Sequence, residues 1–321
     1  MVSIEQGASV PAILADGRPR ISMGARLIRS FMRRFVKNRL RYDLPVHITR
    51  DKIERLALRQ PLPPADVAVE AVDAAGIASF WLTPDNATEG RHILYLHGGG
   101  YIVCSPRTHM GFTWRIAKEA RARLLLIDYR LAPEHAFPAQ IDDSLTAYKF
   151  LLDQGIAPER ITVMGDSAGG GLTFGLLMRL NSLGLPMPGA AVGMSPYLDL
   201  TFTGESHYLN ALRDPMIPLA GVVFGGRTYL QGADPKHPEA SPIYGDASGL
   251  PPTFIQCGSD EVLRSDSERM VQNLKAAGVP AELEVWHLMP HVWQAFSRYV
   301  PEGRFAIAKI GAFIRKTIPA A

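Results

Sequence analysis

The stretch Ile161-Thr162-Val163-Met164-Gly165-Asp166-Ser167-Ala168-Gly169, continued by Gly170-Gly171-Leu172-Thr173-Phe174-Gly175-Leu176-Leu177-Met178, carries the strongest structural signal in this 321-residue chain. The first four residues are a short, largely β-branched run that reads as a strand. The residues after Ser167 are small and apolar and read as a helix. A strand that turns at once into a helix through Gly-x-Ser-x-Gly holds its serine on a sharp, strained turn with the hydroxyl exposed. The helix start also offers unpaired backbone N–H groups, which suit an anion. The pentapeptide alone is weak, because a Gly-rich turn with a capping serine has the same spelling.

The chain around it alternates strands with helices. Val67 to Val72 and Ile77 to Leu82 read as paired strands around Ala74-Ala75-Gly76. Strands are expected at His92 to Leu96, Arg123 to Asp128, Ala190 to Ser195, Thr253 to Cys257 and Leu283 to His287. Helices are expected at Thr108 to Ala120, Ala139 to Asp153, Ser265 to Ala277 and Arg304 to Ile314. That alternation implies an α/β fold with a mostly parallel central sheet covered on both faces, and a site at the carboxyl ends of the strands. Asp199 to Ala240 breaks the rhythm with Gly, Pro and aromatic residues and reads as an excursion above the sheet.

Composition narrows the class. The chain is 47% hydrophobic and 20% charged, which suits a globular protein, and no apolar run is long enough to span a bilayer. Met1 to Ile13 lacks the basic and apolar regions of a signal peptide, and Cys104 and Cys257 read as free thiols, so the cytoplasm is the default location. The net charge of +3 hides an asymmetry: Arg18 to Arg50 holds ten Lys/Arg against Asp43 alone, and the remainder is acidic. Basic residues confined to one segment argue against a nucleic-acid partner. Within that segment, Ser22 to Leu40 reads as an amphipathic helix with Leu27, Ile28, Phe31, Met32, Phe35 and Val36 on one face and Arg26, Arg29, Arg33, Arg34, Lys37 and Arg39 on the other. The expectation is that the apolar stripe packs on the rest of the protein; a membrane-surface helix is the alternative, and stable membrane insertion is not expected.

A serine needs a base to remove its proton, and the base needs a third group to orient it. After a strand–turn–helix serine, the acid and then the base should follow, each just beyond a strand. Asp260 follows Thr253 to Cys257, and His291 follows Leu283 to His287. None of the other eight histidines combines that order with that position. Stabilising an oxyanion requires N–H donors: Ala168 at the elbow, and glycines from the loop His97-Gly98-Gly99-Gly100-Tyr101 after a strand. Metal and cofactor readings find no support: there is no His-Glu-x-x-His, Pro290 separates His287 from His291, and no phosphate-binding loop or dinucleotide fingerprint is present.

Together, His97-Gly98-Gly99-Gly100-Tyr101, Tyr129-Arg130-Leu131-Ala132-Pro133-Glu134-His135, Gly165-Asp166-Ser167-Ala168-Gly169 and Asp260-Glu261-Val262-Leu263 resemble the hormone-sensitive-lipase family of bacterial esterases, family IV, in its GDSAG branch. The resemblance covers about Asp66 to the C-terminus. It implies an α/β-hydrolase core, residues 51–198 and 241–321, under a helical cap built from residues 1–50 and 199–240. It implies Ser167 as nucleophile, Asp260 as acid, His291 as base, and Gly98, Gly99 and Ala168 as oxyanion-hole donors. His97 and Glu134 match positions that brace loops. Glu261 stands where many members have proline, a departure expected to leave Asp260 in its role. The implied activity is serine carboxylesterase action on small esters of short-to-medium acyl chain, through an acyl-enzyme, without metal or cofactor. A lactonase or an amidase is the alternative within catalysis, and a non-catalytic ligand-binding receptor is the alternative outside it. The resemblance is compatible with a homodimer, which no residue fixes.

Overall fold

The computed structural model describes residues 21–37 and 45–320. The end of the expected helix at residues 38–40 and the stretch Met1 to Ile13 lie outside them. Eight strands form one sheet: β1 (Val67–Asp73), β2 (Ala78–Pro84), β3 (His92–Leu96), β4 (Arg123–Ile127), β5 (Ile161–Asp166), β6 (Ala190–Met194), β7 (Thr253–Gly258) and β8 (Ala281–Trp286), in the order β1-β2-β4-β3-β5-β6-β7-β8. Only the pairings β1 with β2 and β2 with β4 are antiparallel; the rest are parallel. The central strands are apolar on both faces, as a sheet covered on both sides requires.

Alternation along each strand divides the core. Leu94, Leu96, Leu125, Ile127 and Val163 face α4 (Ala139–Asp153), α5 (Ala168–Ser182) and α8 (Arg264–Ala276). Ile93, Tyr95, Leu124, Leu126 and Met164 face α3 (Pro106–Ala120) and α9 (Pro301–Thr317). Two helices, α6 (Glu205–Leu209) and α7 (Leu219–Leu230), interrupt the alternation between β6 and β7. The Tyr229 ring on α7 stacks on Tyr101 at 3.9 Å. Gly225 faces the Gly100 carbonyl, where an added Cβ would sit at 3.0 Å. Helix α7 therefore lies directly against the glycine loop after β3.

The N-terminal segment corrects one expectation. Helix α1 (Met23–Phe31) continues as a π-helical turn, Met32–Val36, and α2 spans Val46–Ala57. Leu27 and Phe31, from the stripe expected to pack inward, are 64% and 51% exposed. The helix instead buries Ala25 and Met32 and lays Ile28 beside Met289 and Trp293. Small residues explain the rotation. Gly24 abuts the Tyr299 carbonyl with no room for a Cβ, so the helix approaches the protein by its narrowest side. Arginine and lysine stems are long enough to reach back from there: Arg29, Arg33 and Lys37 all donate to backbone carbonyls of the main body.

Candidate active site

Ser167 sits between β5 and α5 with φ 53° and ψ −120°, a conformation L-residues rarely adopt. Crowding makes the turn possible. A Cβ on Gly165 would stand 2.5 Å from the Leu96 carbonyl oxygen, and one on Gly169 would stand 2.6 Å from that of His97. Strand and helix can approach so closely only because both positions are glycine. The turn is latched to the next loop: Ser167 N–H donates to Met194 O and Tyr197 N–H donates to Ser167 O, both at 2.9 Å.

The carboxylate at His291 is Glu261, which corrects the expectation for Asp260. His291 Nδ1 lies 2.7 Å from Glu261 Oε2. Both side chains are buried. Glu261 Oε1 accepts from Ser195 Oγ at 2.7 Å and from Gly258 N–H at 2.5 Å. Asp260 points the other way, and its Oδ2 accepts from Arg29 Nη2 at 2.8 Å. The physical reason is register. Neighbouring residues of the turn after β7 diverge, and the Gly258 N–H fixes the longer side chain inward. Burial alone would lower the His291 pKa. The hydrogen bond and charge of Glu261, with Asp214 and Asp166 behind, raise it above the ordinary histidine value.

Gly98 is the second correction. Its N–H donates to Asp166 Oδ1 at 3.1 Å and lies 3.2 Å from His109 Nε2, so it is engaged and cannot serve an oxyanion. Asp166 is a buried hub that also accepts from Tyr95 Oη at 2.8 Å and meets His109 Nε2 at 3.2 Å. Burial opposes its ionisation, but His109 and the Tyr95 hydroxyl hold its pKa below the usual carboxylate value. The next glycine, Gly99, has φ 122°, and a Cβ there would strike the Val103 carbonyl. His97 stacks on Tyr129 at 4.2 Å, and the Tyr129 hydroxyl donates to the His97 carbonyl at 2.6 Å. Burial keeps His97 neutral, with its pKa lowered to about 3. Glu134 pairs with Arg50 of α2 at 2.7 Å.

Three contributors escaped sequence reasoning. Glu261 was visible but set aside. Ser195 donates to Glu261 and accepts the Val292 N–H at 3.2 Å, so it ties the loop after β6 to the His291 turn. Asp214 accepts from Val262 N–H at 3.0 Å and from Met216 and Ile217 N–H at 2.8 and 2.9 Å. Only the Ser195-Pro196 turn directly after a strand could have signalled the second; nothing in the spacing marks the third.

Among the described residues, Asp199, His207 and Asp266 form one buried group with metal-ligand spacing. Both Asp199 oxygens are already taken by Thr201, Thr203 and Arg269, so the group reads as a charge-paired brace between the α6–α7 excursion and α8.

A strained serine at a strand–helix elbow, a buried carboxylate–histidine pair from the last two strands and a glycine loop beside the elbow define an α/β hydrolase. The profile of the alpha/beta hydrolase fold matches residues 93–295, and the chain belongs to that family. An acetyl-hydrolase of Streptomyces hygroscopicus is 41% identical over 271 residues, 84% of this chain and 89% of the relative. An esterase of Acinetobacter venetianus is 32% identical over 285 residues, 88% and 93% of the two chains. The crystal structure of an esterase from the bacterial hormone-sensitive lipase family superposes with a TM-score of 0.88 at 41% identity, covering 92% of this chain and 99% of that one. That of the esterase EstE5, soaked by p-nitrophenyl butyrate, superposes with a TM-score of 0.88 at 40% identity, covering 93% and 100%. This protein is a carboxylesterase of the hormone-sensitive lipase family. No helix among the described residues is long and apolar enough to cross a membrane.

Proposed function

We propose that Ser167 is the nucleophile, His291 the general base and Glu261 the group that orients it. The observation that carries this reading is the buried 2.7 Å contact between Glu261 and His291 Nδ1. An ionised carboxylate only accepts, so Nδ1 carries the proton and Nε2 is left basic. Nε2 takes the Ser167 proton as Oγ attacks the ester carbonyl, and Glu261 stabilises the imidazolium that forms. The N–H groups of Gly99 and of Ala168, at the α5 N-terminus, hold the oxyanion. His291 then protonates the leaving alcohol and later activates the water that releases the acid. Residues 1–50 and 199–240 act as the cap; the stacking of α7 on the glycine loop supports that role. The substrate class is a small ester with a short-to-medium acyl chain, in keeping with relatives named acetyl-hydrolase and with the butyrate ester soaked into EstE5. The free Cys104 and Cys257 support a reducing compartment such as the cytoplasm, and the acidic surplus outside the N-terminal stretch supports a protein without a nucleic-acid partner. A homodimer rests on the resemblance alone, and sedimentation reads it directly.

A panel of p-nitrophenyl esters of rising acyl length, run on the wild type and on Ser167→Ala, tests the reading. Activity should peak at short chains and vanish in the variant, together with covalent labelling by a fluorophosphonate. Labelling that persists in Ser167→Ala would remove the serine from its role.

A further inference from the structure

The N-terminal helix reaches both turns that hold the Glu261–His291 pair, and it does so with its cations. Arg29 Nη1 donates to Leu288 O at 2.6 Å, three residues before His291, and Arg29 Nη2 donates to Asp260 Oδ2 at 2.8 Å, one residue before Glu261. Both members of the Arg29–Asp260 pair are only 16% exposed. About two turns further along, Lys37 Nζ donates to Ala211 O and Asp214 O, each at 2.7 Å. Asp214 is fully buried, and its Oδ2 accepts the Val262 N–H, one residue after Glu261. Glu261 is therefore bracketed on both sides by contacts that lead back to one helix. Its rotamer depends on the turn backbone, because Gly258 N–H of the same turn reaches its other oxygen, beside Ser195 Oγ from the loop after β6.

We infer that Arg29 and Lys37 are positioning residues for the reaction, acting through Glu261 and His291 without touching substrate. This rests on the reading of Glu261 as the orienting carboxylate. A catalytic geometry displaced by about 1 Å loses on the order of 100-fold in rate, whereas ground-state binding of a small ester is little affected. Cutting both tethers with Arg29→Ala/Lys37→Met should therefore lower kcat by about 10- to 100-fold and change KM by less than about threefold. On the same helix, Arg26→Ala should leave both parameters unchanged.

The discriminating measurement is a cycle with Glu261→Ala, read on a p-nitrophenyl ester with the Ser167→Ala rate subtracted. With the carboxylate gone only the Leu288 side of the tether, toward His291, is left to act, so the tether variant should cost several-fold less in that background than in the wild type. An equal loss in both backgrounds would make the helix a general support and overturn the inference. If the tether variant does not fold, Arg29→Lys takes its place in the same cycle: it keeps the charge but cannot fork to two acceptors, and should give an intermediate kcat. Full activity in Glu261→Ala alone would instead overturn the assignment of Glu261.

Discussion

At the scale of single residues, the choice between adjacent acids is the sharpest test. Glu261→Gln should lower kcat by about 10³- to 10⁴-fold, as expected when a histidine loses the carboxylate that fixes its tautomer. Asp260→Asn should cost less than about tenfold, because Arg29 keeps its bond to Leu288 O. The reverse ranking, measured on folded protein, would restore Asp260. With His291 as the proposed base, its raised pKa sets the pH profile: a base works only when neutral, so the acidic limb of kcat/KM should lie above about 6.5. A limb below that value would count against the Glu261 contact. The sequence places Ser167, His291 and the glycine loop just after strands, because a repeating pattern fixes those positions, and the structure finds them there. Asp260 and Glu261 could not be told apart, since one residue of turn register reverses which side chain points inward. Gly98 was misjudged for a related cause: the partner that engages its N–H, Asp166, lies 68 positions away.

Among the elements, the strands and helices of the core were legible because buried parallel strands are continuously apolar and their helices are separated by turn residues. The N-terminal helix was legible as a helix but not in its facing. Its hydrophobic stripe is real, yet close approach at Gly24 and Ala25 outweighs the larger apolar side chains in setting the contact. Burial then ranks its substitutions. Met32→Ala, at a buried position, should lower unfolding stability by about 2 kcal/mol. Leu27→Ala, largely in solvent, should change it by less than about 0.5 kcal/mol. Denaturant titrations of the two proteins give the comparison, and a larger loss at Leu27 would mean that the stripe is covered after all.

For the molecule as a whole, activity and stability should part company with pH. Besides His291, His207 has a raised pKa: burial opposes its charge, but Asp266 outweighs burial. A histidine whose folded pKa exceeds its unfolded value of about 6.5 contributes stability that is complete below that pH and is lost as pH rises through the folded value. On the proposed reading, deprotonation of His291 over the same interval switches the base on. The melting temperature should therefore fall while kcat/KM climbs; parallel rises would contradict the charge pairing. Removing residues 1–37 should leave Ser167 in place but abolish most turnover, because the Arg29 and Lys37 tethers to the two site turns go with them. Undiminished activity on a soluble short-chain ester, with only vesicle binding lost, would show that the segment serves a membrane surface instead.

Asp166 has one more consequence. It is bonded to Ser167 through the chain and to the Gly98 amide through its carboxylate, and Gly98 precedes Gly99. On the proposed reading, attacking atom and anion donor are thus referenced to a single datum, and errors in the rest of the sheet do not accumulate between them. Breathing of the outer strands carries both along together. Heating should leave the spacing of the reacting groups nearly constant until the sheet itself melts, so loss of activity should arrive abruptly, with unfolding, rather than by gradual drift.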